Sequence, residues 1–157
     1  MRLVIADTGP INYLIQIGHI DLLPRLFQRV VIPVAVKREL SHPVAPLSVR
    51  GWMNSPPSWL EIHGTTNLPR TATLDEGEAA AISLALSIHA DMLLIDEREG
   101  SRVAQASGLR VTGTLGVLDL AAERGLIVFA VAIKDLHRTS FRRPTALRKM
   151  LLDNHKL

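Results

Sequence analysis

The sequence predicts a three-layer α/β domain, a central parallel sheet of four to five strands flanked by helices. Three observations carry this prediction. Continuous apolar runs of strand length recur at Leu3–Ala6, Val30–Ile32 and Met92–Ile95, and unbroken apolar runs mark strands buried on both faces. Segments of helical length lie between them, so successive strands are joined by crossovers and run parallel. A chain of 157 residues with 47% apolar content suits one domain with a well-filled core.

Taken in order, Arg2–Ala6 is the first strand, ending in the turn-forming run Asp7-Thr8-Gly9-Pro10. A helix follows from Pro10 to about Ile17 and a short one near Leu22–Phe27. Val30–Ile32 is the second strand. Pro33 stands where a helix starts, and Val34–Leu40 continues it. The proline-rich stretch Pro43–Pro57 reads as irregular or partly helical, and Trp59–His63 as a short strand. Asp75–His89, rich in Ala and Leu, is the clearest helix. Met92–Ile95 is a third buried strand, Glu99–Ser107 a helix, and Arg110–Thr112 another short strand. Gly116–Arg124 is helical and stops at Gly125, a residue suited to ending a helix. Trp52 and Trp59 are expected in the core or a dimer contact, with base stacking as the alternative.

Composition removes several function classes. The chain has no cysteine, which excludes disulfides and thiolate metal sites. The apolar start is too short for a signal peptide, and the longest apolar stretch, Ala79–Ile95, is broken by His89 and Asp91. A cytoplasmic protein without a membrane segment is expected. The histidines show no metal-ligand spacing, and neither a P-loop nor a G-x-S-x-G elbow occurs. The net charge of +3 is unevenly placed: 12 Lys/Arg face 14 Asp/Glu up to Leu136, and six face one from His137 onward. Residues 1–136 therefore form an acidic-leaning body, and 137–157 a basic helical tail of the same domain that suits a polyanionic partner.

Four acids stand where their neighbours are apolar. Asp7 and Asp96 each directly follow a predicted strand, and ligands of parallel sheets bind outside the carboxyl ends of the strands. Glu39 shares a helix face with Val36 and Leu40, and Glu78 heads a stripe formed with Ile82, Ala85 and Leu86. A lone carboxylate on a buried face is costly unless paired or bound to a cation. Each acid also has a structural role open to it. Asp7 can cap the following helix, Asp96 the helix near Glu99, Glu78 can form a capping box with Asp75, and Glu39 can reach toward solvent beside Lys37 and Arg38. Gathered at one rim, they would repel one another and attract a divalent cation. Oxygen ligands without His or Cys select a hard ion, Mg²⁺ or Mn²⁺.

The runs Val4-Ile5-Ala6-Asp7-Thr8-Gly9-Pro10-Ile11, Arg38-Glu39-Leu40, Leu74-Asp75-Glu76-Gly77-Glu78-Ala79, Leu93-Leu94-Ile95-Asp96-Glu97-Arg98 and Val111-Thr112-Gly113-Thr114-Leu115-Gly116 resemble the PIN-domain nucleases. Within them the likeness is to the branch of VapC-like toxin homologues carrying the Thr-Gly-Thr-Leu-Gly segment. It extends from Met1 to about Ile127. The resemblance implies a Mg²⁺-dependent endoribonuclease, frequent homodimers and a cognate antitoxin partner. Its acidic cluster carries over as Asp7, Glu39, Glu78 and Asp96, with Thr8 as the hydroxyl residue beside the first Asp and Glu97 and Thr114 as auxiliary candidates. Two positions depart from that branch: Ala80 stands where a second Glu is frequent, and Glu97 where Asp is.

The expected activity is metal-assisted hydrolysis of single-stranded RNA. Asp7 and Asp96 would hold the principal ion, with Glu39 and Glu78 as further ligands or water-orienting bases. Arg98, Arg102, Arg142 and Arg143 are the candidate contacts to the RNA backbone. Two other classes compete. One is a non-catalytic PIN-like module that binds RNA or protein. The other is a phospho-acceptor regulatory domain, which needs a tight acidic pair after the first strand; here Thr8 follows Asp7.

Overall fold

Residues 3–64, 73–142 and 151–154 are described by a computed structural model of the chain. Strands β1 (Leu3–Ala6), β2 (Arg29–Pro33), β3 (Leu60–His63), β4 (Met92–Leu94) and β5 (Val111–Thr112) form one sheet in the order β3-β2-β1-β4-β5. Every neighbouring pair is parallel, as the unbroken apolar runs require. Pro33 belongs to the end of β2 and is the N-cap of the next helix, in extended conformation at φ −74° and ψ 157°. The helix starts there as expected, with Pro33 as its cap and Val34 as its first residue.

The strand period of two divides the apolar side chains between two layers. Val4, Ala6, Val30, Ile32, Leu60 and Leu94 face one cluster, and Ile5, Val31, Leu93 and Ile95 the other. The first cluster is closed by α1 (Thr8–Gln16), α2 (Leu22–Leu26), α3 (Val34–Leu40), α4 (Leu47–Asn54), α7 (Thr114–Glu123) and α8 (Phe129–His137). The second is closed by α5 (Glu76–Ser87), through Ala81, Ile82, Leu84 and Ala85, and by Ala104 of α6 (Arg98–Ala106). Each fully buried Leu or Ile contributes roughly 1.5–3 kcal/mol, and Ile5, Ile11, Leu14, Leu23, Ile32, Leu40, Leu93 and Leu94 are among those with essentially no exposed surface. Leu86 does not join the buried stripe of α5; it is 42% exposed at the last turn.

Within the proline-rich stretch, α4 buries Val49 and Met53, and Trp52 packs on Trp59 with ring centroids 5.8 Å apart. The helix α7 starts at Thr114, two residues before the expected Gly116. It ends at Glu123 with Arg124 as C-cap, after which Gly125 takes φ +73° and Leu126 N–H bonds to Ala121 O at 2.9 Å, the backbone form only glycine adopts without cost. The periodic burial of Phe129, Ala132, Ile133 and Leu136 makes α8 a core helix. The sequence pattern does not mark this helix, because its N-cap Val128 supplies no capping side chain. Among the described residues no helix is long and apolar enough to cross a membrane.

Candidate active site

The sheet register sets the first two acids side by side. Ala6 pairs with Leu94 and Leu94 with Thr112. Beyond these pairs the ladder continues by one bond on each side, Asp7 N–H to Leu94 O and Ile95 N–H to Thr112 O, both 2.8 Å. Asp7, Asp96 and Thr114 therefore leave the sheet at one carboxyl edge. Close approach is visible at Gly9, where an added Cβ would lie 3.0 Å from Asp96 Oδ2. A glycine at the start of α1 lets the two segments meet.

Asp96 does not cap α6. It caps α7 from across the rim, accepting from Thr114 N–H at 2.8 Å on Oδ1 and from Thr114 Oγ1 at 2.7 Å on Oδ2. Thr114 is fully buried and Asp96 half-buried, so the grip is anchored on its threonine side.

Glu39 turns inward instead of reaching for solvent. Thr8 Oγ1 donates to Glu39 Oε2. The Glu39 carboxylate also lies against Gly77, where any Cβ would overlap it. Thus α3 reaches both α1 and the first turn of α5 through one carboxylate. Glu78 forms the capping box expected as its structural role: its N–H donates to Asp75 Oδ1 at 2.8 Å, and its Oε1 accepts from Asp75 N–H at 3.0 Å. Its second oxygen, Oε2, is 3.3 Å from where a Cβ on Gly100 would stand. Glu78 is nonetheless buried, which a surface capping box does not require.

Asp7 occupies the N-cap position of α1 without a side-chain capping bond. It is only 4% exposed, and its Oδ1 has no hydrogen-bond partner. Among the described residues the buried polar side chains are Asp7, Glu78 and Thr114, all at this rim. Burial pushes the carboxyl pKa of Asp7 well up; the Thr8 N–H acts against it, and the negative charges of Glu39, Asp75 and Glu78 each add a smaller push upward. Glu39 is raised by burial and by Asp75, with the Thr8 hydroxyl and the Gly77 N–H acting the other way. Glu78 is raised by burial, then by Asp75 and Glu97. This is an electronegative pocket whose charge a bound proton or cation would offset.

The pocket itself is a cavity of ≈ 240 Å³ lined by Asp7, Thr8, Gly9, Asn12, Tyr13, Glu39, Asp75, Asp96 and Glu97. Over the chain as a whole, a family model described as a PIN domain (DUF3368) matches residues 3–156.

The chain belongs to the PIN-domain family.

Among solved structures, the PIN fold seen here is similar to a PilT N-terminus domain protein from the hyperthermophilic archaeon Sulfolobus solfataricus P2. The TM-score is 0.50 at 11% identity, over 92% of this chain and 100% of the other. That likeness is one of fold. A search of curated protein sequences finds no match.

The PIN fold thus brings Asp7, Glu39 and Asp96, with the auxiliary candidates Thr8 and Glu97, to one cavity, and Thr114 behind it on Asp96. Glu78 borders it through Asp75. Among the described residues no three carboxylate or imidazole groups are already gathered in metal-holding geometry. A divalent ion still fits the donor chemistry: oxygen ligands only, one of them a buried carboxylate oxygen with no partner. Arg98 is exposed nearby, whereas Arg102 is held on the surface of α6 by Glu99. Arg142 is described and exposed; Arg143 lies outside the described residues. Asn12 and Tyr13 also line the cavity and Gly77 abuts Glu39, although the sequence pattern marks none of the three. The signal for Asn12 is its place one helical turn after Thr8 in α1. Gly77 could have been noticed as a glycine in the first turn of a helix, where the backbone itself needs none.

Proposed function

We propose that this PIN domain is a Mg²⁺- or Mn²⁺-dependent endoribonuclease that cleaves single-stranded RNA, and the toxin of a VapBC-like toxin–antitoxin pair. The observation that carries the nuclease reading is the buried, unpartnered Oδ1 of Asp7 in a cavity walled by other carboxylates. A buried anion without a partner is stable only when a cation or proton joins it. The toxin role is supported by the Thr-Gly-Thr-Leu-Gly resemblance at Thr112–Gly116. With it come a cognate antitoxin and a homodimer as expected partners.

Asp7 and Asp96 would hold the principal ion, with Glu39 and Glu78 as further ligands or water-orienting bases. When bound, the ion polarises the phosphodiester and favours hydroxide at neutral pH. The chain's own residues supply the rest. Thr114 fixes both Asp96 oxygens, so that carboxylate cannot rotate away. Thr8 aims Glu39 into the cavity. The raised proton affinity of Glu39 lets its carboxylate accept the proton of an attacking water. Asp7 itself is only 4% exposed, so bulk water has little access to its carboxylate.

One observation favours a second reading, a non-catalytic binding module that keeps the fold. Both Glu78 capping bonds are made within its own helix start, and Asp96 is satisfied twice by Thr114. Incubation of the purified chain with a mixed single-stranded RNA pool separates the two. The nuclease yields discrete products with Mg²⁺ or Mn²⁺ and none with a chelator. The binding module retains RNA without product at any concentration of either ion.

A further inference from the structure

Beside the acidic cavity lies a larger cleft of ≈ 520 Å³ that shares Tyr13, Asp96 and Glu97 with it and is otherwise lined by Arg98, Ser140, Phe141 and Arg142. We propose that this cleft is a nucleotide subsite of the RNA substrate. It would receive the base and sugar next to the cut phosphodiester against Tyr13, with Arg98 and Arg142 contacting the flanking phosphate. The inference rests on the nuclease reading for its position and on the cleft's own chemistry for its ligand.

The volume falls within the range of small-molecule sites, roughly 300–1,000 Å³, and admits one nucleotide. Tyr13 stands on α1, so the helix that carries Asn12 into the acidic cavity carries Tyr13 into the cleft. Its ring is fixed on one side by a T-shaped contact with buried Phe141, centroids 5.1 Å apart at 86°. Its hydroxyl shares a hydrogen bond with Ser140 Oγ at 3.1 Å. A half-buried tyrosine pinned in this way presents a rigid stacking surface at little cost in side-chain entropy. The Arg142 guanidinium is tethered through Nη1 to Phe141 O at 3.0 Å, which holds a cation in the lining of the cleft.

The charge arrangement picks the ligand. Arg98 and Arg142 supply the cations of the cleft, so the flanking phosphate belongs by them and a base or sugar against the Tyr13 ring. Stacking on an aromatic ring needs an unstacked base, which single strands offer and duplexes do not. The cleft joins the carboxylate cavity through their shared Tyr13, Asp96 and Glu97, so one strand can run from the arginines past the tyrosine to the acids.

The test uses the full chain and a fluorescently labelled single-stranded RNA, read by anisotropy in chelator, so that affinity is measured without cleavage. Arg98→Ala with Arg142→Ala changes two exposed residues and should leave the thermal melt in place. Affinity should fall about 10–100-fold, and the slope of log affinity against log salt should shrink by about 0.7, the loss of one single-strand phosphate contact. Arg124→Ala, at the far end of α7, serves as the control and should bind within about twofold of the parent. Unchanged affinity and slope in the folded double variant would overturn the subsite. A parallel assay in Mg²⁺ keeps the two ideas apart. Parent cleavage with an unchanged KM in the double variant removes the subsite and leaves the nuclease. Arginine-dependent binding without any cleavage by the parent keeps the cleft as an RNA site and removes the nuclease.

Discussion

Thr114 holds Asp96 by two hydrogen bonds, from its N–H at 2.8 Å and its hydroxyl at 2.7 Å, although the residues are eighteen positions apart. The pair joins the loop after β4 to the N-terminus of α7, whose positive end favours a carboxylate. Threonine is fully buried here, so its hydroxyl has no water to fall back on.

Thr114→Val keeps the shape and removes the hydroxyl. We expect a loss of about 1–2 kcal/mol in unfolding free energy, from a buried carboxylate oxygen left short of a donor. RNA cleavage should fall about 10–100-fold, the usual effect of loosening a support behind a metal ligand. Denaturant unfolding and initial cleavage rates check both; a variant with parental rates would show that Asp96 needs no such support.

Gly77→Ala places a methyl group on the Glu39 carboxylate. Either Glu39 leaves the Thr8 hydroxyl or α5 shifts, and overpacking of this kind costs about 1–3 kcal/mol. The expected signature is a drop in kcat larger than the change in KM for RNA, because Glu39 is assigned to the water and not to the substrate. A variant with parental kcat would remove Glu39 from the mechanism.

The raised carboxyl pKa values of Asp7, Glu39 and Glu78 imply a stability that depends on pH in a set direction. Folded values above unfolded ones mean that the folded state binds protons more tightly. Their contribution is complete below the ordinary carboxylate range and is lost as pH rises through the raised values. Metal-free protein should therefore melt at lower temperature as pH climbs from about 4 toward neutrality. The Arg29–Glu61 surface pair acts in the opposite sense, but exposed pairs are screened and weak. Saturating Mn²⁺ should flatten the slope. Melting curves at a series of pH values, with and without the ion, decide this; a metal-free Tm that rises over this range would contradict it.

Asp7→Asn should raise the Tm of metal-free protein at neutral pH by several degrees, corresponding to on the order of 1 kcal/mol for relief of a buried unpartnered anion. The same variant should have no measurable RNA cleavage. A less stable variant that still cleaves would show Asp7 to be an ordinary helix cap.

How far these features could be read from the sequence differs between fold and site. The apolar runs at Leu3–Ala6, Val30–Ile32 and Met92–Ile95 reveal the sheet because strands covered on both faces tolerate no polar residue. The acids at Asp7 and Asp96 stand out for the same reason. Partners were harder to see. Asp96 was expected to cap the helix that follows it, and instead caps α7, since parallel register brings the start of α7 beside the end of β4. Glu39 offered solvent exposure and burial equally, and only the packing of α3 on α1 and α5 resolves the choice. α8 escaped notice because Val128 and Val131 are exposed, which blurs the helical period of its buried face.

A titration of Mn²⁺ into metal-free parent and Asp7→Asn protein, followed by calorimetry or by the signal of free ion, addresses the central claim without any RNA. The carboxylate cavity should give the parent saturable binding, and the variant, folded and at least as stable, should lose it. Equal binding by the two proteins, or none by the parent at millimolar ion, would mean that Asp7, Glu39, Glu78 and Asp96 do not share a cation.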